Sequence, residues 1–295
     1  MTEKTIDITC FGEPMLEFVR QDGGLWKQGF GGDTANTAIM AARSGAKVAY
    51  LTGLGTDRFG DELVGILNRE HVATDWVRRD PSAPTGIYFV EPHESQRFFT
   101  YYRDGSAAAR FQSAELPSDL MEKTRILHVS AISEAISPNA SAAVKAAIAQ
   151  VRAAGGQVSY DTNLRLKLWG GIEPARTAVH ASMAHCDIAL PSIDDAEELT
   201  GLTDENAIID FYLDLGAKIV ALKLGERGAL IATSVERRAI RPKPVVPVDS
   251  TGAGDAFAGG FLASYLRQGD PFIAGQDASV LAAKVVSGFG AVPDF

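Results

Sequence analysis

A rhythm limits the fold more than any other feature of this chain: short, almost wholly apolar runs separated by stretches with helical patterning. TIDITCF, KVAYLTGLG, RILHVSA, QVSYDTN, DIALPS and KIVALKLG are the runs, and TANTAIMAARSG, DRFGDELVGILNREH, NASAAVKAAIAQVRAAGG, EPARTAVHASMAHC, DDAEELTG and ENAIIDFYLDLG lie between or beside them. A strand that is apolar on both faces must be covered on both faces, and crossover helices supply that cover in a parallel sheet. The expectation is an α/β fold, a doubly wound, mostly parallel sheet flanked by helices, as a single domain over residues 1–295.

Two stretches break the rhythm. Residues 14–30 (PMLEFVRQDGGLWKQGF) and 84–103 (PTGIYFVEPHESQRFFTYYR) alternate polar and apolar residues around Gly- or Pro-bearing turns, as half-exposed antiparallel strands do. A small β-sheet lid inserted at two points of the α/β domain is expected. No repeat, low-complexity segment or dividing linker interrupts the rest.

The 295 residues carry a net charge of −9 and no run of Lys or Arg, so the footprint of a nucleic-acid binder is missing. An anionic ligand would need locally placed cations. No window reaches the roughly 18 apolar residues of a membrane span, and MTEKTIDITCFGEP has too short an apolar stretch for a signal peptide. We expect a cytoplasmic protein with no membrane partner. Cys10 and Cys186, each at the edge of a strand-like run, read as reduced, partly buried thiols.

GxxxxGK[ST], GxGxxG, HExxH and GxSxG are all absent, which argues against a P-loop kinase, a typical dinucleotide dehydrogenase, a zincin and an α/β-hydrolase. Near the C-terminus, DSTGAGDAFAGGF sets Gly252, Ala253 and Gly254 before a lone acid, Asp255, at the start of an apolar helix. Free amides and the positive end of a helix dipole make an anion site, and small residues let a phosphate approach the backbone. An acid beside a bound phosphate makes chemical sense if it takes a proton from a nucleophile attacking the phosphoryl group. Taken alone, the stretch equally fits a small-residue helix start with Asp as an ordinary cap.

DSTGAGDAFAGGFLASYL resembles the second signature of the ribokinase, or PfkB, family of carbohydrate kinases. GFGGDTANTAIMAARSGAKVAYLTGLGTDRFGDEL, upstream, resembles the first, with its Gly pair, its Asn and its G-x-D-x-x-G. The order of the motifs and the strand-helix pattern between them extend the resemblance over nearly the whole chain. It implies ATP-dependent phosphorylation of a sugar hydroxyl, with Asp255 as base, the amides of Gly252, Ala253 and Gly254 as anion hole, and Mg2+ bridging the nucleotide phosphates.

The family often has Asn-x-x-Glu after a strand, whereas this chain reads Ser192-Ile193-Asp194-Asp195. The resemblance puts Ser192 at the nucleotide and lets Asp195 hold Mg2+ through water; an acidic helix N-terminus favoured by the dipole is the other reading. KLGERGAL resembles the family's nucleotide-binding strand and turn and implies Lys223, Gly225 and Gly228 near ATP, with a plain β-turn as the alternative for the glycines.

GEPMLEF, GFGGDTANT, TGIYF with FFTYYRDGSAAARF, LHVSAIS and YDTNLRLKLW resemble the kinases of 2-keto-3-deoxygluconate within that family, so transfer to its 6-hydroxyl is the implied reaction. That substrate carries a carboxylate, and Arg103 and Arg165 are the candidate cations, since a guanidinium grips a carboxylate through two hydrogen bonds. Period-2 alternation puts Tyr101 on the face of Arg103, with Tyr88 joining from a neighbouring strand and Tyr102 turned away. Packing plus a solvated charge is the plainer reading of that strand end.

Gly32, Asp33 and Asn36 open a helix at the C-terminal end of a strand, where open α/β sheets bind ligands, and are candidates for the sugar hydroxyls, with Asp33 alternatively a cap. Glu17 is a weaker candidate, and Trp169 is assigned to the core. A neutral-sugar kinase such as a fructokinase, a nucleoside kinase and a non-catalytic sugar-binding module remain alternatives. The resemblance further implies a homodimer or higher homo-oligomer through the lid and leaves room for a monovalent cation (K+) near the SGFGAV turn. The chain ends at Phe295, slightly earlier than the family pattern leads us to expect, so a shortened last helix is anticipated.

Overall fold

The computed structural model describes residues 3–93 and 96–295. Its strands are β1 (Ile6–Phe11), β2 (Met15–Arg20), β3 (Trp26–Gly31), β4 (Val48–Gly55), β5 (Val72–Ala73), β6 (Val77–Asp80), β7 (Ile87–His93), β8 (Gln96–Tyr102), β9 (Thr124–Ser130), β10 (Gln157–Asp161), β11 (Ile188–Leu190), β12 (Ile219–Lys223), β13 (Ala229–Ala232) and β14 (Arg237–Ile240). Ten of them form one sheet in the order β14-β13-β12-β11-β10-β9-β1-β4-β5, with β6 also paired to β4. From β12 across to β4 every pairing is parallel, and only the β12-β13-β14 edge is antiparallel.

Alternation along the strands shows why both faces need helices. Ile126 of β9 packs into one apolar cluster, and Leu127 and Val129 pack into another on the opposite side. β11 divides likewise, Ile188 and Leu190 against Ala189, and β12 divides Ile219 and Ala221 against Val220 and Leu222. Each strand thus feeds two cores, the physical content of a doubly wound sheet.

The covering helices begin where capping chemistry directs. Asp57 accepts the Gly60 amide at the start of Arg58–Arg69, Ser137 accepts the Ala140 amide ahead of Pro138–Ala153, and Asp270 caps Pro271–Val286. In the last two a proline occupies the first helical turn, where its missing N–H costs nothing. The final helix runs for 16 residues. Cys10 and Cys186 are free and fully buried, so burial pushes both thiols up. Among the described residues no helix is long and apolar enough to cross a membrane.

The two irregular stretches meet in a separate four-stranded sheet, β3-β2-β7-β8. The strands fall where the alternation puts them, but the sheet is not purely antiparallel: β2 and β7 pair in parallel. Alternation fixes which residues share a face, not which strand lies alongside, and the long excursion between β2 and β7 allows them to run the same way.

Candidate active site

The crossover from β1 to β4 runs one way along the sheet, and those from β9 through β10 and β11 to β12 run the other, so a crevice opens beside the C-terminal end of β1. Two helices start there, Asp33–Arg43 and Ala253–Gln268. Gly259 lets them touch: a Cβ on it would stand 2.5 Å from the Thr37 carbonyl oxygen and 2.8 Å from the Ala41 nitrogen. That contact brings Asn36 to Asp255, and the Asn36 amide donates to Asp255 Oδ2 at 2.8 Å while Thr37 Oγ1 donates to the Asp255 carbonyl at 3.3 Å.

Asp255 is half-buried in the first turn of its helix. Burial and the neighbouring charge of Asp33 raise its carboxyl to about 7, with Asp161 adding to the rise and the Asn36 bond and the Lys223 ammonium opposing it. A carboxylate poised there is tuned for proton transfer near neutrality.

The three small residues before it have different physical roles. Gly252 sits in the left-handed region at φ 75°, and a Cβ there would lie 2.6 Å from the Ala291 Cα in the C-terminal turn. The Ala253 amide donates to the Ser250 carbonyl at 3.2 Å, closing the turn that leads into the helix. Gly254 lies inside the helix at ordinary angles, and a Cβ on it would stand 3.6 Å from the Lys223 ammonium.

Lys223 ends β12, forms a bridge with Ser192 in parallel, and pairs with the buried carboxylate of Asp161 at the end of β10. Ser192 caps the helix Ile193–Thr200 by accepting from the Asp195 amide at 3.4 Å. Asp195 Oδ2 in turn accepts from Thr162 Oγ1 and the Leu164 amide, each at 3.1 Å, so this acid also fixes the loop that follows β10. Among the described residues no group of three or more His, Cys, Asp or Glu side chains could hold a metal. Magnesium needs no such cage, because it is commonly held by one or two carboxylates and the phosphates of its nucleotide. Gly225 and Gly228 lie in the β12–β13 turn, at φ 60° and 91°, and a Cβ on Gly228 would collide with the Ile240 carbonyl, 2.1 Å away. Strand packing is therefore reason enough for Gly228.

On the second sheet Tyr88 stands opposite Tyr101 in the β7–β8 register, their rings stacked 5.5 Å apart, and Tyr102 faces the other side against Phe89. Tyr88 donates to Glu17 at 2.7 Å, and Gly31 leaves room for that hydroxyl, which a Cβ would meet at 2.2 Å. Arg103 lies 5.7 Å over the Tyr101 ring, but its guanidinium is buried and already matched: Nε donates to Glu13 Oε2 at 2.8 Å, and Ser106 donates to Glu13 Oε1 at 2.6 Å. Arg165 differs. It is exposed, donates to the Leu164 carbonyl at 2.9 Å, and among the described residues pairs with no carboxylate. Burial raises the Tyr101 phenol, and the charges of Arg103 and then Arg165 oppose that rise.

Gly32 requires its residue type, since φ is 129° and a Cβ would meet the Glu13 carbonyl at 2.6 Å. Asp33 beside it accepts from Asn163 at 3.1 Å. Trp169 packs, partly buried, against the core. Glu13 organises Arg103 and Asp161 organises Lys223, and no spacing in the sequence links either acid to its cation.

Comparison with known proteins bears on the same cleft. The family model described as pfkB family carbohydrate kinase matches residues 5–294. A 2-dehydro-3-deoxygluconokinase of Thermoproteus tenax is 32% identical, covering 97% of this chain and 90% of its own. A probable fructokinase-4 of Arabidopsis thaliana is 34% identical, covering 88% and 82%. Among solved structures, a PfkB protein from Polaromonas sp. JS666 superposes with a TM-score of 0.90 at 30% identity over 97% of each chain. A putative ribokinase II from E. coli in complex with ATP and Mg2+ superposes with a TM-score of 0.89 at 26% identity, over 97% of this chain and 94% of its own.

Proposed function

The chain belongs to the pfkB family of carbohydrate kinases, and on that premise we propose that it transfers the γ-phosphoryl group of ATP to the 6-hydroxyl of 2-keto-3-deoxy-D-gluconate. The observation that carries the substrate is Arg165, an exposed cation that pairs with no carboxylate among the described residues and whose charge acts on the Tyr101 phenol. A sugar acid supplies the missing partner, and the planar guanidinium matches its carboxylate.

In this reading Asp255 takes the proton of the attacking hydroxyl, and Asn36 fixes which carboxylate oxygen is presented. The first-turn amides around Gly254 receive the phosphoryl group, which needs positioning and charge neutralisation more than covalent help. Asp195 would hold a magnesium ion brought by the nucleotide, through water, and the ion would supply part of that neutralisation. Gly32, Asp33 and Asn36 meet the sugar hydroxyls, and Ser192, Lys223 and the β12–β13 turn meet the nucleotide. The four-stranded sheet serves as lid over the acceptor, and its exposed Phe98 and Tyr102 suit pairing with a second copy of the chain. A potassium ion near the SGFGAV turn belongs to the same proposal.

A neutral-sugar kinase is the second reading. It is favoured by one observation, the match of Arg103 to Glu13, which leaves that arginine no uncompensated charge to offer an acid. ADP release measured with 2-keto-3-deoxygluconate, fructose, ribose and adenosine separates the two. The sugar acid is expected to give the highest kcat/KM, and a preference for fructose would overturn the substrate.

A further inference from the structure

Three cations bear on this crevice among the described residues. Arg103 is matched by Glu13, and the charge of Arg165 acts on Tyr101, which leaves Lys223 near the carboxylates of Asp33, Asp161 and Asp255. Its side chain is 13% exposed and that of its partner Asp161 is 6% exposed. An ammonium has three donors, so one directed at Asp161 leaves two for another acceptor.

Gly254 supplies the second observation. Its backbone is helical, and a Cβ would meet nothing closer than the Lys223 ammonium at 3.6 Å, an ordinary contact. No steric rule therefore demands glycine, which inside a helix costs about 0.5–1 kcal/mol relative to alanine. What glycine preserves is open space between the ammonium and the helix start.

We propose that Lys223 is a catalytic residue of the phosphoryl transfer, that Asp161 positions its ammonium, and that Gly254 keeps open the space in which the γ-phosphoryl group lies between the ammonium and the first-turn amides. The proposal rests on the kinase reading above. In the transfer the bond from the γ-phosphorus to the bridging oxygen of ADP breaks, and a bond to the sugar oxygen forms. The hydroxyl proton passes to Asp255. Charge spreads over the three equatorial oxygens on the way, and a cation fixed beforehand in a poorly solvated site stabilises it without reorganisation.

The test compares wild type with Lys223→Met and Gly254→Ala by kcat, by KM for the sugar, by melting temperature and by calorimetric affinity for Mg-ATP against Mg-ADP. Lys223→Met is expected to lower kcat by about 10²- to 10³-fold, with KM for the sugar within about threefold. It is also expected to erase the preference for ATP over ADP. Gly254→Ala is expected to melt no lower than wild type and to lose kcat comparably. A kcat within about fivefold of wild type in either variant, or an ATP preference kept by Lys223→Met, would overturn the proposal. If Lys223→Met fails to fold, Gly254→Ala decides. If wild type phosphorylates none of the sugars, the substrate reading falls, while the difference between ATP and ADP affinities still reports on Lys223.

Discussion

The Asn36 side-chain amide donates to the Asp255 carboxylate at 2.8 Å, joining two helix starts 219 residues apart in the chain. This bond opposes the rise in the Asp255 carboxyl, so its loss should move that group further above about 7. Asn36→Ala is expected to shift the acidic limb of the kcat/KM profile upward. An unmoved limb would mean that Asn36 serves the sugar alone.

Asp33 acts in the opposite sense. Its charge is the largest electrostatic cause of the raised Asp255 carboxyl, so Asp33→Asn should move the same limb toward acid, whatever it does to KM. Below the limb the wild-type rate should fall about tenfold per pH unit, as expected of one essential base.

The raised carboxyl also has a cost in stability. The folded-state value, about 7, lies above the ordinary 3.8, so the native state binds the proton more tightly, and stability is lost as pH rises from the lower value through the higher one. Asp255→Asn, which cannot ionise, should therefore gain melting temperature over wild type from pH 4 to about pH 7, after which the gap levels. The gain is bounded at about 4 kcal/mol, one pKa unit being worth about 1.4 kcal/mol. A gap independent of pH would show that the carboxyl is not raised.

The two arginines should part company. Arg103→Ala leaves the buried Glu13 without its cation, and breaking such a pair costs about 3–5 kcal/mol. Arg165→Ala should keep stability within about 0.5 kcal/mol yet weaken binding of a sugar acid far more than of a neutral sugar. Equal losses on both substrates would remove Arg165 from the carboxylate.

Gly252 offers a contrast within one motif. Gly252→Ala forces a Cβ into the left-handed region and against the Ala291 backbone, and should cost about 1–3 kcal/mol by thermal melting. The sequence makes Gly252 and Gly254 look alike; only the backbone angle and the neighbour tell them apart.

The same limit explains what else was and was not legible. Continuous apolar runs revealed the doubly covered strands because burial is a local demand: Ile126 and Leu127 must find cores on opposite sides. Alternation likewise put Tyr88, Tyr101 and Arg103 on one face, and helix-start chemistry singled out Asp255. The partners of these groups were not legible. Glu13 lies 90 residues from Arg103, and Asp161 lies 62 residues from Lys223, so no spacing links them. The parallel β2–β7 pairing was hidden for the same reason, since it depends on how the intervening chain returns.

The central claim is that Asp255 is the base of a sugar kinase, and kcat of Asp255→Asn measured beside its melting temperature tests it most directly. Asn36 can still donate to the new amide oxygen, so the fold should persist, and removal of the base should lower kcat by about 10²- to 10⁴-fold. A folded Asp255→Asn protein with near wild-type kcat would contradict the account.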